Sequence, residues 1–395
     1  MTAFGALFVP APLREAVSDH AWLEAMLDVE RALANAQAIA GVAPPAAVAA
    51  IAAACEPELY DVGHLAEQGR AVGNPAEPLV RALRDRVGGD AARYVHYGAT
   101  SQDVMDSASM LVARRANQLI DVALDDVARA CAALAENHRR TAMAGRTLLQ
   151  QAVPTTFGLK AAGWLTAVAD ARERLAAVPL AAELGGAAGT LARLGEHATE
   201  VLRLFAAELE LPEPVLPWHA HRGRVAALGA ALAAVAAACA KIGLDVVLLA
   251  QTEIAEVSES SNGRSSTMPH KRNPVGAVLA RACARGVHAQ ATLLTSGEHE
   301  HERAAGAWQA EWGAMSEALA LAGGAAAAIG ETLHRLQVHP DRMRANMSDE
   351  LVSERLAFAE RAGLDVADEL RDPTTYLGSA PALVDRALAR YRDAR

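Results

Sequence analysis

Aromatic residues are scarce in this sequence, at 4% of 395 residues. Helices must therefore pack closely on small side chains, and alanine, the best helix former, is abundant. Cysteines are also few, and the four of them form no C-x-x-C pair and no disulfide spacing: Cys55, Cys131, Cys239 and Cys283. These shortages favour a helical protein without a disulfide framework, in a reducing cytoplasm.

Positive charge is in deficit, with 37 Lys and Arg against 47 Asp and Glu, a formal net charge of −10. A nucleic-acid surface requires a basic excess, so we expect no nucleic-acid partner. An anionic small molecule stays possible, because local arginines can reverse the field inside a cleft. Segment 1–17 has no basic start followed by an apolar stretch, so we expect no signal peptide. The uncharged run 225–240 is shorter than the roughly 20 residues of a membrane span.

Helical periodicity dominates the chain, and no convincing alternation of apolar and polar residues predicts a strand. Four predicted helices are longer than roughly 25 residues, at 101–141, 154–182, 222–257 and 302–335. Helices of this length are typical of bundles that pack along their whole length. The sequence therefore predicts an all-α fold in which a sheet contributes little.

Three domains are expected along the chain. They are an N-terminal helical domain at 1–100, a central long-helix bundle at 101–345 and a short C-terminal helical domain at 346–395. Ala-rich helical faces such as the one within 226–240 are too apolar to remain in water. We therefore expect an oligomer in which such faces are buried.

A polar loop at 258–273 separates two strong helices and contains the most specific motif. Residues 263–274 read GRSSTMPHKRNP. This segment resembles the signature loop of the fumarase/aspartase superfamily, whose pattern places two serines before Met-Pro and a lysine before Asn-Pro. Asn273-Pro274 is also typical of a plain helix start, which is the structural alternative.

Two further blocks resemble the same superfamily. Residues 96–103, HYGATSQD, resemble its first block, which opens a long helix. Residues 145–156, GRTLLQQAVPTT, resemble its second block, which ends one long helix and begins the next. The first is also a simple N-cap sequence, so the three blocks together, in this order, carry the resemblance.

The resemblance implies a site without cofactor or metal, in which a proton beside a carboxylate is transferred through an aci-carboxylate intermediate. It assigns catalysis to Ser265, as base or proton donor, together with Lys271 and Asn273. A serine hydroxyl is a poor base unless backbone N–H groups and the lysine stabilise its alkoxide. The implied substrate-binding residues are His96, Thr100, Ser101, Gln102, Arg146, Thr147, Gln151, Ser266, Met268 and Arg222.

Two departures from the superfamily pattern restrict the leaving groups that this site can expel. Many lyases of this superfamily carry a histidine where this chain has Leu148, and Gln151 supplies no acid either. Expelling a hydroxyl or nitrogen group without an acid is costly, whereas a carboxylate, with a pKa of about 4, leaves unprotonated. The second block therefore favours lactone chemistry over hydratase or ammonia-lyase chemistry.

Segments 73–83, 91–96, 217–219, 299–312 and 372–378 resemble the carboxymuconate cycloisomerases of the superfamily. That resemblance implies a small tricarboxylate substrate and a homotetramer with shared active sites. An adenylosuccinate-lyase-like enzyme and a catalytically silent homologue stay as alternatives.

For several histidines the sequence allows a structural role as well as a functional one. His219 and His221, near Arg222, are either a carboxylate contact or a solvated helix end, and they lack a third metal ligand at useful spacing. His299 and His301, with their glutamate neighbours, are predicted to lie on a charged, exposed helix.

Overall fold

The structure is a computed structural model that describes residues 3–259, 271–363 and 368–394. Helices account for most of these residues, which confirms the all-α prediction. The α-helices are Ala11–Ala16 (α1), Asp19–Ile39 (α2), Pro45–Ala54 (α3), Val62–Gly69 (α4), Ala76–Val87 (α5), Ser101–Asn137 (α6), Phe157–Ala176 (α7), Ala198–Glu208 (α8), Gly223–Leu249 (α9), Val275–Thr295 (α10), Ala307–His334 (α11), Pro340–Ala345 (α12), Ser353–Arg361 (α13) and Ala380–Asp393 (α14). Short 3₁₀ helices lie at Ala3–Leu7, Pro57–Leu59, Gly89–Tyr94, Gly186–Ala188, Ala192–His197, Asp349–Val352, Asp368–Arg371 and Pro373–Thr375.

Three of the four predicted long helices are present. Helices α6, α9 and α11 have 37, 27 and 28 residues. The predicted helix 154–182 is too long, because α7 starts only at Phe157 and has 20 residues. Helix α11 starts only at Ala307. The prediction that residues 299–302 are helical is therefore wrong.

Two small antiparallel sheets accompany the helices within the described residues. Strand β1 (Ala142–Thr147) pairs with β2 (Gln150–Thr156), and β3 (Val257–Glu259) pairs with β4 (Leu336–Val338). The expectation that the second block passes directly from helix to helix is therefore wrong. The sequence of these two strands shows no clear alternation of apolar and polar residues. One reason is that the pairing shifts register between Ala144 and Arg146, which interrupts the two-residue repeat of a regular strand.

The chain packs into two compact units. Unit 1 comprises Met1–Leu119, Ala177–Ala233 and Gly286–Gly323. Unit 2 comprises Ile120–Ala176, Ala234–Arg285 and Gly324–Arg395. Four of the five unit boundaries fall inside helices α6, α9, α10 and α11, so these units differ from the three predicted domains, which stay a prediction.

Small residues permit close helix contacts in both units. In unit 2, a Cβ on Gly158, in the first turn of α7, would lie 2.6 Å from the His138 carbonyl oxygen just after α6. The next aromatic contacts are edge-on, from His138 to Phe157 at 5.3 Å and from Phe157 to Trp164 at 5.7 Å between centroids. The close approach at Gly158 and the two aromatic contacts together fix the direction in which α7 leaves the hairpin that carries the second block.

Helices α9 and α11 are long and apolar enough to cross a membrane by length and composition alone. Most of their apolar windows are buried inside the chain. Both are therefore buried core helices.

Candidate active site

The first block forms the entry to α6. His96 and Gly98 adopt positive φ values of 58° and 81°, which turn the chain sharply before the helix. The backbone N–H of Thr100 donates to the Asp103 carboxylate at 2.8 Å, as in a helix-capping box. Thr100 and Ser101 are half-buried at this helix N-terminus, where the helix dipole favours an anion.

Asp103 holds the surrounding loops in place. One of its oxygens accepts from the Gly185 N–H at 2.8 Å and from His219 Nε2 at 2.7 Å. The other accepts from Thr100 N–H and, at 3.0 Å, from the Gly186 N–H. The carboxylate is therefore fully hydrogen-bonded beneath the helix start.

His219, Asp103 and Glu183 form a buried group whose possible metal-ligand atoms all lie within 4.8 Å of one another. The sequence offered His219 no third ligand, so this grouping was not foreseen. Burial, followed by the charges of Asp103 and Asp106, raises the pKa of Glu183 well above its ordinary value. Because each Asp103 oxygen already accepts two N–H groups, a metal would have to displace these donors. The absence of a metal role stays a prediction.

A second buried group surrounds Asp106, one turn along α6. Arg222 donates to both Asp106 oxygens at 2.7 and 2.9 Å and also bonds Glu311. Gln102 donates to Asp106 at 3.1 Å and to the His219 carbonyl at 2.9 Å. The side chain of Arg222 is 1% exposed, and its guanidinium is occupied by two carboxylates. These contacts favour a structural role for Arg222 and Gln102 over the predicted substrate contact.

His299 belongs to the same group. Its Nε2 lies 3.2 Å from a Glu311 oxygen, and the side chain is 2% exposed. The expectation of an exposed helical histidine is therefore wrong for this residue. A glutamate at position 311, distant in sequence, stabilises it in the interior.

Arg303 is a candidate site residue that the sequence reasoning missed. Its guanidinium donates to Thr100 Oγ1 at 2.6 Å and to the carbonyls of Gly186 and Ala187 at 3.3 and 3.0 Å. It thereby places a cation beside the first block. The only signal was an arginine four positions beyond His299 in a segment with a resemblance of its own.

His96 faces the interior. Its Nδ1 lies 2.6 Å from Glu30 Oε1, and the two side chains are 12% and 1% exposed. Burial opposes the imidazolium, but the charge and hydrogen bond of Glu30 outweigh it and raise the pKa of His96. The pair ties the first block to α2, so His96 is held as an anchor of the loop.

The second block is a β-hairpin. Thr147 pairs with Gln150, so Leu148 and Leu149 form a two-residue turn, with φ values of 53° and 66°. Leu148 is 97% exposed and Leu149 is 75% exposed. Thr147 and Gln151 are exposed beside this tip. The position at which many lyases of the superfamily carry histidine thus projects from unit 2 as an apolar tip.

Arg146 has a carboxylate partner within unit 2. Its two terminal nitrogens donate to the Glu256 oxygens at 2.6 and 3.0 Å, in the bidentate geometry expected of a carboxylate partner. Glu256 is fully buried and also accepts from Asn346 at 2.9 Å. Gln151 donates to the Asn346 carbonyl at 2.7 Å. Gln151 therefore contacts Asn346 directly, whereas Arg146 is connected to Asn346 only through Glu256.

The signature loop is described only at its end. Ser265, Ser266, Met268 and His270 lie outside the described residues. Lys271 is exposed and Asn273 is half-buried, and α10 starts at Val275, as the Asn-Pro pair predicted. Before the loop, the buried Glu259 carboxylate at the end of β3 accepts from the Ala277 N–H at 3.4 Å. An acid at a helix N-terminus is favourable, so this contact links both flanks of the loop.

The structure thus groups the predicted residues into two sets. In unit 1, His96, Thr100, Ser101, Gln102 and Arg222 surround the start of α6. In unit 2, Arg146, Thr147 and Gln151 lie on the hairpin, and Lys271 and Asn273 lie ahead of α10. The roles assigned to all of them stay predictions.

Comparison with known proteins relates this arrangement to enzymes. A family model described as lyase matches residues 9–288. The chain is 46% identical to a nitrosuccinate lyase of Streptomyces davaonensis, over 95% of this chain and 92% of that protein. It is 45% identical to a 3-carboxy-cis,cis-muconate cycloisomerase of Bradyrhizobium diazoefficiens, over 93% of this chain and 86% of that one.

Solved structures are similar over the whole chain. The 3-carboxy-cis,cis-muconate lactonizing enzyme of Pseudomonas putida superposes with a TM-score of 0.92 at 37% identity, over 99% of both chains. The β-carboxy-cis,cis-muconate cycloisomerase of Acinetobacter calcoaceticus gives a TM-score of 0.91 at 30% identity, over 98% of this chain and 100% of that one.

Proposed function

Because this chain belongs to the fumarase/aspartase lyase family, we propose that it is a 3-carboxy-cis,cis-muconate cycloisomerase. Enzymes of this family bind small carboxylates. The proposed reaction closes a lactone ring: one substrate carboxylate oxygen adds to a conjugated carbon. The resulting charge resides on an aci-carboxylate, and a proton from Ser265 quenches it at the carbon beside that group. Ser265 then regains a proton from solvent, which balances the one proton that the reaction consumes. No cofactor is needed for this sequence of steps.

The observation that supports this proposal best is the residue composition at the tip of the β1–β2 hairpin. Leu148, 97% exposed, cannot protonate a leaving group, and Gln151 bonds the backbone near Asn346. The reverse of lactonisation expels a carboxylate, which leaves without a proton because its pKa is about 4. A leaving hydroxyl or nitrogen would require an acid at this point. The hairpin therefore supports lactone chemistry and disfavours an adenylosuccinate-lyase-like elimination.

Charge complementarity supports a substrate with several carboxylates. Arg303 beside Thr100 and the N-terminus of α6 offer positive potential in unit 1. Lys271 is exposed ahead of α10 in unit 2. We propose that Lys271 stabilises the Ser265 alkoxide and that Asn273 holds a substrate carboxylate. Thr100, Ser101 and Thr147 are proposed to hold the remaining carboxylates.

A second candidate is nitrosuccinate lyase activity, favoured by the 46% identity to an enzyme of that name. Elimination from a nitrosuccinate would expel nitrite, a stable anion that also leaves without an acid. Leu148 is therefore compatible with this reaction as well. The two candidates differ in what is bound, because nitrosuccinate has two carboxylates and the muconate three.

We propose in addition a cytoplasmic homotetramer with shared active sites. The family resemblance supports this assembly, and exposed apolar side chains on the long helices, such as Val122 and Val278, agree with it. A catalytically silent homologue is the remaining alternative. Ser265, Lys271 and Asn273, all present in the sequence, argue against it.

A spectrophotometric assay tests the proposal. Purified protein is mixed with 3-carboxy-cis,cis-muconate and the loss of diene absorbance is followed, with Ser265→Ala in parallel. Nitrosuccinate with nitrite detection, and adenylosuccinate with fumarate detection, run beside it. Rapid loss of the diene with wild type and none with the variant is the expected result. Nitrite release without diene loss would replace the proposal with the second candidate, and no turnover of any substrate would support the silent homologue.

A further inference from the structure

Unit 1 contains a cavity of ≈ 590 Å³ that none of the three blocks lines. Binding sites for small molecules are usually concavities of roughly 300–1,000 Å³ with a few convergent polar groups. This cavity lies among α1, α2, α4 and the first turns of α11. Its walls include Arg14, Ser18, Trp22, Trp312 and Ser316.

Two lining residues carry N–H donors that lack an acceptor. Arg14 Nε and Trp312 Nε1 are both buried and have no hydrogen-bond partner among the described residues. Among the residues that the structure describes, no carboxylate lies within ion-pair distance of the Arg14 guanidinium. A buried donor without a partner costs roughly 1–3 kcal/mol, and more when it is charged. An acceptor bound in the cavity would remove this cost.

The other walls are flat and apolar. Trp22 donates its indole N–H to Ser316 Oγ at 2.8 Å, which fixes the ring at the wall. Trp312 packs edge-on against Trp308, at 4.8 Å between centroids. Met26 and Val17 complete the apolar surface. Asp19 and Glu317 also line the cavity, but both are exposed, so solvent screens their charges at the mouth.

We infer that this cavity binds a small carboxylate with a flat apolar body, at a site separate from the three blocks. The carboxylate oxygens would accept from the Arg14 guanidinium and from Trp312 Nε1. The apolar body would lie between the indole of Trp22 and the side chain of Met26. Benzoate is the simplest molecule with both features.

Isothermal titration calorimetry of the full chain with benzoate tests this site. We expect one binding event per chain beyond any at the catalytic site, and the same event in Ser265→Ala. Arg14→Met removes the charge and the donor at similar length. It should weaken this event about tenfold or more, the effect of losing a charged hydrogen bond. Arg70→Met, an exposed arginine outside the cavity, should leave the affinity unchanged.

A second variant distinguishes loss of the binding site from misfolding of Arg14→Met. Ala66 is exposed on α4 and lines the cavity, so Ala66→Trp should fill the space and abolish the event while circular dichroism stays unchanged. Benzyl alcohol and phenethylamine replace the carboxylate by a neutral and a cationic group, and both should bind at least tenfold more weakly. Binding that survives Ala66→Trp, or equal binding of phenethylamine, would overturn the inference.

Discussion

At His96 the chain adopts a left-handed backbone conformation, with φ 58°. This conformation is costly for a residue other than glycine, and the surrounding contacts must offset the cost. The 2.6 Å contact with the Glu30 carboxylate is the strongest of these contacts. The pair therefore determines both the shape of the loop before Thr100 and the charge state of the imidazole.

Glu30→Gln should lower stability in a pH-dependent manner. The folded-state pKa of His96 is raised above its value of about 6.5 in the unfolded chain. Stability from the charged pair is therefore complete below about pH 6.5 and is lost as pH rises through the folded pKa. We expect Glu30→Gln to lower the free energy of unfolding by about 1–3 kcal/mol at pH 6 and by less at pH 9. Urea denaturation at both pH values measures the difference.

Glu15→Gln is the matched control, since Glu15 is exposed on α1. It should change stability little at either pH. A loss from Glu30→Gln that is equal at pH 6 and pH 9 would show that the pair is not stabilised by charge.

Arg303→Met should impair turnover of the substrate that the assay identifies. The change removes the 2.6 Å hydrogen bond to Thr100 Oγ1 and a cation beside the first block. Loss of one charged hydrogen bond in the transition state corresponds to a fall in kcat/KM of about 10–100-fold. Arg193→Met is the control, because Arg193 stacks on Tyr97 at 4.7 Å in the same unit and is exposed. A fall no larger than that of the control would remove Arg303 from the site.

The residues of the first block were found from sequence because they are contiguous. Arg303 was missed because its partner Thr100 is 203 positions away, and no local pattern reports such a contact. Arg222 was assigned to substrate because its type fits a carboxylate. The carboxylates of Asp106 and Glu311, which occupy it here, come from two other helices.

At the scale of elements, the β1–β2 hairpin is the main difference from the sequence prediction. Two-residue turns with positive φ at both positions favour Asn-Gly, and this chain has Leu148-Leu149 instead. The turn signal was therefore absent, and the sequence predicted no strand in the segment between the predicted helices 101–141 and 154–182. The long helices, in contrast, were predictable, because their apolar periodicity runs over many turns.

Replacing the tip by Leu148→Asn with Leu149→Gly should stabilise the protein. A left-handed conformation costs an ordinary residue about 1–2 kcal/mol, and asparagine and glycine adopt it more readily. Both leucines are mostly exposed in unit 2, so little packing is lost. We expect a gain of about 1–2 kcal/mol in the free energy of unfolding, measured by urea denaturation.

The matched control is Val215→Asn with Leu216→Gly. These side chains are 95% and 71% exposed, but their φ values are not positive. No backbone strain is relieved there, so we expect no gain, and the added glycine should cost a little. Destabilisation by the hairpin change would show that the leucines are buried against another chain.

At the scale of the molecule, the predicted site residues fall into two sets. Thr100, Ser101 and Arg303 belong to unit 1, whereas Arg146, Thr147 and Lys271 belong to unit 2. Sequence order could not predict this grouping, because the boundaries of the units cut through the long helices. The proposed tetramer accounts for the division if each active site takes its blocks from different subunits.

Mixing two variants, one impaired and one inactive, tests this sharing of residues. Arg303→Met alters the set in unit 1, and Ser265→Ala alters the signature loop. If one active site uses these residues from different subunits, hybrid oligomers contain some sites that carry neither change. We therefore expect activity to return when the two variants are unfolded together in urea and refolded, with tetramers verified by light scattering. Each variant refolded alone should keep only its own residual activity, which is none for Ser265→Ala and a kcat/KM lowered about 10–100-fold for Arg303→Met. If the mixture gains no activity beyond that of the two variants refolded alone, although hybrids form, then both residues of a site come from a single chain and the shared-site proposal fails.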